Sequence, residues 1–442
     1  MYPNPQDALP LPSRPNVEQY KKLAKNLVKA CRSGGPDAIR TWATRWCESL
    51  AALQQEPDAL RDRNEVTDRT DQVAQFAREK LALDGEPSPR CALTSAQFVI
   101  ARAHGFLSWP KFVKHIESLA LEGSDISAFE RAAIAVVSGD RATLERLLRE
   151  HPDLVRARST REHRATLLHY VSANGVENFR QVSPKNSAEM AKLLLDAGAD
   201  VDAEADVYEG ACTTLGLVAT SAPPFIAGVQ REVIDVLLAQ GARMDRPGLA
   251  GRTNSLVDAC LANGQPQAAE YLASRGARLD FVGAAGLGRA DALERFLDED
   301  GTLNRRVTNA QLARGFSLAC AYGRADAVTF LLQRGVDADM ELAGHGAGHT
   351  GLHVAAYHAH HDVVSILLQH GASIDPIDKT WGTTPLVWAL TGWSRKEARE
   401  IDRYYEVAKR LVAAGARVTQ DLLDWDKARA DPKMLAALSG KM

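Results

Sequence analysis

The 442-residue chain lacks most of what would mark a membrane protein, a secreted disulfide scaffold or an enzyme of a common motif class. No apolar run approaches the roughly 20 residues of a membrane span, and the opening MYPNPQDALPLPSRPN has no charged-then-apolar signal region. Cysteine is sparse. Cys31, Cys47, Cys91, Cys212, Cys260 and Cys320 lie far apart and form no C-x-x-C pair. Several occupy core-like slots, as in Ala319-Cys320-Ala321, so they read as free buried thiols in a reducing compartment, and the chain is expected to be cytoplasmic. Neither sign of charge dominates: 53 basic residues face 56 acidic ones, and residues 1–124 hold 17 and 15 of these, leaving 36 and 41 for the rest. Neither part is a nucleic-acid footprint. No G-x-S-x-G, P-loop or H-E-x-x-H occurs, so no catalytic motif is in view.

What the chain does have is a returning phrase. It reads LLLDAGAD at 193–200, LLAQGA at 237–242, LASRGA at 272–277, LLQRG at 331–335, LLQHGA at 367–372 and LVAAGA at 411–416. With Gly301 included, the closing glycines fall 43, 35, 25, 34, 36 and 44 residues apart. The apolar pair is the buried face of a helix, and the glycine takes a left-handed position that ends it at no steric cost. Each glycine therefore closes the second helix of a repeat.

Upstream of Gly371 runs Gly348-His349-Thr350-Gly351-Leu352-His353-Val354-Ala355-Ala356, then Ala359-His360-His361-Asp362-Val363-Val364. This resembles the ankyrin pattern G-x-T-P-L-H-x-A-A followed by G-H-x-x-V-V, with Gly351 in the Pro slot and Ala359 in the Gly slot. The next copy, Gly382-Thr383-Thr384-Pro385-Leu386, keeps the Thr-Pro-Leu turn but has Val387 where His is usual. From the Thr slot to the closing glycine is 21 residues for Thr350 to Gly371, and the same for Arg314 to Gly335 and for Glu130 to His151 in a degenerate first copy. Asn254 to Gly276 and Leu279 to Gly301 give 22. Eight units result, over about residues 125–420, near the ankyrin period of about 33. The fifth starts straight after Gly276-Ala277-Arg278, with no room for a hairpin finger. The resemblance implies an all-α ankyrin-repeat solenoid of helix pairs with short fingers. It further implies a non-enzymatic scaffold that recognises a partner protein on its concave face, through finger tips and first helices.

Residues 1–16 form a Pro-rich segment and residues 17–124 a helical domain of four to five helices, with 421–442 left for a C-terminal capping helix. Val17, Tyr20, Leu23, Ala24, Leu27 and Val28 make one helical stripe. Ile39 to Leu53 and Asp71 to Leu83 read likewise. Leu93 to Phe112 gives two helices parted by Gly105, with Ser108 as a cap and Pro110 in the first turn. This piece resembles a helical segment found ahead of ankyrin arrays in some bacterial proteins. The same helix–turn–helix outline suggests DNA binding, but Trp109 to Leu121 offers only Lys111 and Lys114, too few base and phosphate readers. A cap packed on the first repeat is expected instead.

Seven of twelve histidines crowd into residues 345–370, which invites a metal reading. The resemblance assigns His353 and His360 to structural slots, however, and the others lack a Cys or carboxylate arranged with them. Neither metal nor cofactor is expected. Gly346-x-Gly348-x-x-Gly351 has the form of a dinucleotide fingerprint without its preceding strand. Partner contacts are expected at the finger tips, from Tyr208, Glu209, Arg252, His345, His349, Lys379 and Trp381. Three units overrun the count, by 11, 7 and 10 residues, and each surplus falls between the first and second helix: Val176 to Ser187, Thr220 to Gln230 and Gly392 to Glu400. These insertions read either as tolerated loops or as a second surface, with Phe179 packed on Phe225 beside Arg180, and Trp393 and Arg395 in a separate patch. The runner-up reading is an enzyme or small-ligand-binding protein with its site between the helical domain and the repeats. A monomer without nucleic-acid or membrane partners is expected.

Overall fold

The computed structural model describes residues 3–33, 35, 37–51, 63–81, 91–121, 123–245, 255–342, 348–395 and 401–440. They form two compact units, Met1–Thr253 and Asn254–Met442, a division that falls within the repeat array. Asn4 caps a 3-10 turn at Pro5–Asp7, after which Ala8 and Leu9 are buried. This strap is pinned where Leu9 N donates to Ala103 O at 2.7 Å, and its Leu9 carbonyl meets His104 Nδ1 at 2.9 Å.

Five helices follow: α1 Val17–Arg32, α2 Ala38–Ala51, α3 Arg63–Leu81, α4 Leu93–Ala103 and α5 Trp109–Leu119. Asn16 starts α1 by accepting from Glu18 N at 2.8 Å, and Ser108 with Pro110 starts α5, each such cap being worth about 1 kcal/mol. Their apolar stripes meet in one core that includes Leu27, Trp46, Val73, Ile100, Phe106 and Phe112. Cys31 and Cys91 in this core are joined by a disulfide across 60 residues of sequence, which corrects the expectation of six free thiols. Chain folding brings together two cysteines that local spacing keeps apart. Cys47, Cys212, Cys260 and Cys320 are buried and not disulfide-bonded.

The first unit continues with α6 Asp125–Ser138 and α7 Arg141–Glu150, a 3-10 segment Leu167–Ser172 paired with α8 Ser187–Asp196, and α9 Thr214–Ala219 paired with α11 Gln230–Ala239. The short α10, Ala222–Ile226, lies within the second insertion. Leu167–Ser172 never widens into an α-helix. Ser172 Oγ donates to His169 O at 2.6 Å and Ala173 turns left-handed at φ 47°, so local side-chain bonding replaces the next helical turn. Between α8 and α9, β1 Glu204–Val207 and β2 Gly210–Thr213 pair antiparallel with Val207 opposite Gly210. Tyr208 and Glu209 turn the hairpin at φ 52° and 59°, the double left-handed geometry of a two-residue tip.

The second unit stacks five helix pairs: α12 Leu256–Ala262 with α13 Pro266–Ser274, α14 Phe281–Leu287 with α15 Ala290–Leu293, α16 Asn309–Ala321 with α17 Ala325–Leu332, α18 Gly351–Tyr357 with α19 His361–Gln369, and α20 Pro385–Ser394 with α21 Ile401–Ala413. Small residues let the first helices approach: a Cβ on Gly315 would stand 3.0 Å from the Phe281 ring, and one on Gly351 3.0 Å from Cys320 Sγ. That contact is why glycine replaces proline at 351. The C-terminal cap is three short helices, α22 Gln420–Asp424, α23 Asp426–Arg429 and α24 Pro432–Leu438, where one was expected. Pro432 and Asp431 restart the chain at α24. No described helix is long and apolar enough to cross a membrane.

Candidate interaction surface

Repeat-to-repeat ties come from histidine. Thr350 N donates to His353 Nδ1 at 3.1 Å, leaving Nε2 to donate to Thr383 O of the next repeat at 3.2 Å. His169 makes the same pair of bonds, from Thr166 N at 3.1 Å and to Cys212 O at 3.3 Å. Burial, with the acceptor bond opposing it, holds both imidazoles below their ordinary pKa, His169 at about 4. His360 reaches Ala321 O at 2.8 Å. These rings are structural, and among the described residues no cluster of three His, Cys, Asp or Glu is placed to hold a metal.

The finger before α20 is the most developed surface. Asp378 organises it, accepting from Trp381 N at 2.6 Å, Thr380 N and Thr383 N at 2.9 Å, Thr383 Oγ1 at 2.7 Å and Trp388 Nε1 at 3.2 Å. Burial opposes the charge on this carboxylate, but the Thr383, Trp381 and Trp388 donors outweigh it and hold the group well below its ordinary pKa. On this locked loop Trp381 is 59% exposed and Ile377 56% exposed. The Trp381 ring meets Trp388 edge-on at 5.4 Å, and Trp388 also stacks on His349 at 5.6 Å. Lys379 is exposed and ion-paired with Glu341. His349, expected at a tip, is buried instead in the returning arm of the finger, where its carbonyl accepts from Leu342 N at 2.9 Å. Ile377 escaped notice in the sequence because a lone isoleucine before an aspartate carries no pattern.

In the first unit Tyr208 stands 43% exposed at its tip. Its hydroxyl lies between Gln6 Oε1, at 2.6 Å, and the Asn174 side-chain oxygen, so the N-terminal strap touches this finger. Glu209 shares the tip and forms further contacts. Arg252 and His345 lie outside the described residues.

The expected second surface breaks apart. Arg180 is 6% exposed, drawn in by Glu130 at 2.6 Å and Glu177 at 3.2 Å. Arg161 completes the cluster at 2.7 Å from Glu130 and 2.9 Å from Glu177. Burial resists the charges, yet the two guanidiniums hold both carboxyls well below their ordinary pKa. Phe106 lies under Arg161 and Tyr170 under Arg180, so this ionic cluster links the helical domain to the first repeats. Phe179 packs on Arg180 rather than on Phe225; among the described residues no ring contact joins the two phenylalanines. The two early insertions meet instead through Lys185 Nζ, which donates to Ala227 O at 2.7 Å. Trp393 is 3% exposed and packs edge-on against Trp425 of the C-terminal cap. Arg395 is exposed and donates to Tyr357 Oη at 3.3 Å.

Helix pairs closed by left-handed glycines, joined through fingers and tied by a threonine–histidine turn, define a helix-pair repeat protein. Residues 316–421 match the family model for ankyrin repeats in three copies. This part of the chain carries ankyrin repeats. Among solved structures the chain is similar to the human ASB11 ankyrin repeat domain, at 20% identity over 65% of this chain and 99% of that one, with a TM-score of 0.33. No curated protein matches the sequence.

Proposed function

We propose that this chain is an interaction scaffold that engages a partner protein through the fingers of its second unit, centred on Trp381. Ankyrin repeats are generally protein–protein interaction modules. The observation that carries the finer reading is the pairing of a rigid backbone with exposed apolar groups: Asp378 fixes the loop through five bonds while Trp381 and Ile377 face solvent. A large aromatic held in advance loses little entropy on binding and is the commonest kind of hot spot. Tyr208 offers a second, weaker anchor in the first unit. The protein acts without catalysis or cofactor, as a monomer.

The test compares what native-type lysate yields to the wild-type chain and to Trp381→Ala and Ile377→Ala. The expected result is one or more proteins retained only by wild type, with melting temperatures within about 2 °C of each other, as surface changes allow. An identical retained set, or unfolding of the last repeats by Trp381→Ala, refutes the site. Compartment is tested separately by trapping thiols in cells, because the Cys31–Cys91 bridge favours an oxidising environment and a reduced pair supports the cytoplasmic reading.

A further inference from the structure

The helical domain carries a groove that the repeat array leaves unused. It runs between α1 and α2 with a volume of about 470 Å³. On α1 and its C-cap it follows Asn26, Ala30 and Ser33, and on α2 Ala38, Trp42, Arg45 and Ser49, so each side contributes a single face at the i, i+4, i+7 spacing. The lining spans Leu23 to Ser33 on one side, about 15 Å of helix, or roughly three turns. Ala30 and Ala38 keep the trough open, while Trp42 and Trp46 form its floor at 7% and 5% exposure with rings 5.2 Å apart. Trp42 Nε1 donates to Leu23 O at 3.2 Å, which fixes that indole.

Among the described residues the rim has one sign of charge: Lys29 and Arg45 line it, and no carboxylate does. Both are exposed, and among the described residues neither forms an ion pair. Neighbouring cations differ: Lys21 pairs with Glu18 at 2.7 Å and Arg40 with Asp71 at 2.8 Å. Lys22 and Lys25 add to the positive face of α1. Asp37 and Glu48 fall outside the lining.

We infer that the α1–α2 groove docks an acidic amphipathic helix of a partner protein, its apolar stripe on Trp42 and Trp46 and its carboxylates on Lys29 and Arg45. Two helical faces at matching spacing accept a third helix in the groove, and the trough length sets about three turns. Unpaired rim cations select acidic flanks and speed encounter. A nucleic-acid duplex would satisfy the cations but keep its bases stacked on one another, away from the indole floor. This surface is separate from the Trp381 finger, so either reading stands if the other fails.

The experiment uses the full chain and a fluorescent helical peptide of about twelve residues, with leucines on one face and glutamates on both flanks. Fluorescence polarisation measures its binding, against a lysine-flanked version, a duplex DNA oligonucleotide and naphthoate as a small aromatic carboxylate. The acidic peptide is expected to bind at least about tenfold more tightly than the lysine version, to weaken as salt rises, and to lose about tenfold on Lys29→Glu with Arg45→Glu. Both residues are exposed, and an unchanged melting temperature shows that the double variant still folds. Equal binding of both peptides, equal binding by the double variant, or preference for the oligonucleotide or naphthoate overturns the inference.

Discussion

Acidification offers the sharpest test of how the first unit is held together. Folding buries three of its histidines as neutral rings. His104 is held down to about 3, His115 to about 4 and His169 to about 4, from an ordinary 6.5, in each case chiefly by burial. Such a group binds its proton more readily unfolded than folded, so stability is fully present above about pH 6.5, falls as pH drops below it, and stops falling only beneath the folded value, about 4 for His115 and His169 and about 3 for His104. At pH 5.5, one unit below the unfolded value, each ring lowers stability by about 1.4 kcal/mol, or about 4 kcal/mol for the three. That is a large part of the roughly 5–15 kcal/mol typical of a domain. The depressed carboxyls of Glu130 and Glu177 add nothing in this window, since their stabilisation is lost only as pH falls below about 4.5 toward their folded values. Hydrogen exchange in urea at about pH 7.5 and 5.5, corrected for intrinsic rates and read on fragments covering α4, α5 and Leu167–Ser172, reports this unit by itself. His115→Gln is expected to remove about a third of the pH dependence. A first unit equally stable at both pH values, or a His115→Gln variant with the full pH slope, refutes the reasoning.

Glu177→Gln leaves Arg161 and Arg180 sharing one buried carboxylate and is expected to cost about 3–5 kcal/mol in urea unfolding, whereas joint replacement of Glu177 and Arg180 by leucine and methionine costs less. Reducing the Cys31–Cys91 bridge frees a loop of 60 residues and is expected to destabilise the helical domain by about 4 kcal/mol on the chain-entropy estimate; an unchanged urea midpoint under reductant contradicts it. Ala359 sits at φ 59° in a slot where Gly323 takes φ 66°, so Ala359→Gly is expected to raise the stability of the second unit by up to about 1 kcal/mol, seen as a higher melting temperature. Leu367 is fully buried, and Leu367→Ala is expected to cost about 2–5 kcal/mol by the same measurement.

The repeat architecture was legible because its signals are local. Gly198, Gly371 and Gly415 all adopt the left-handed turn their phrase implied, at φ 99°, 87° and 102°, and His353 and His169 sit in the turn bonds their slot implied. What escaped is non-local. Arg180 looked like a loop residue free to bind, yet its partner Glu130 lies 50 residues away, in a slot whose only oddity is an acid where threonine is usual. Trp393 looked exposed because it falls in an insertion, but the helix α20 extends to Ser394 and turns the ring toward the C-terminal cap. The disulfide joins residues that no spacing rule connects. Cation pairing is equally invisible in sequence, which is why the α1–α2 groove had no signal beyond an ordinary amphipathic stripe.

The fifth repeat gives the second unit a mechanical seam. Its inner helix α14 is buried along its whole length, and a Cβ on Gly286 would stand only 2.6 Å from Leu261. Its outer helix α15 has four residues and buries only Ala292 and Leu293, whereas α17 buries five. In a stack held by neighbour contacts, each layer resists load in proportion to what it shares with the next. A pull on this unit therefore concentrates strain on the thin outer edge of the fifth layer while its tight inner edge serves as the fulcrum. The stack is built to part there first, like a book opening at a weak place in its binding, with the layers on either side remaining folded.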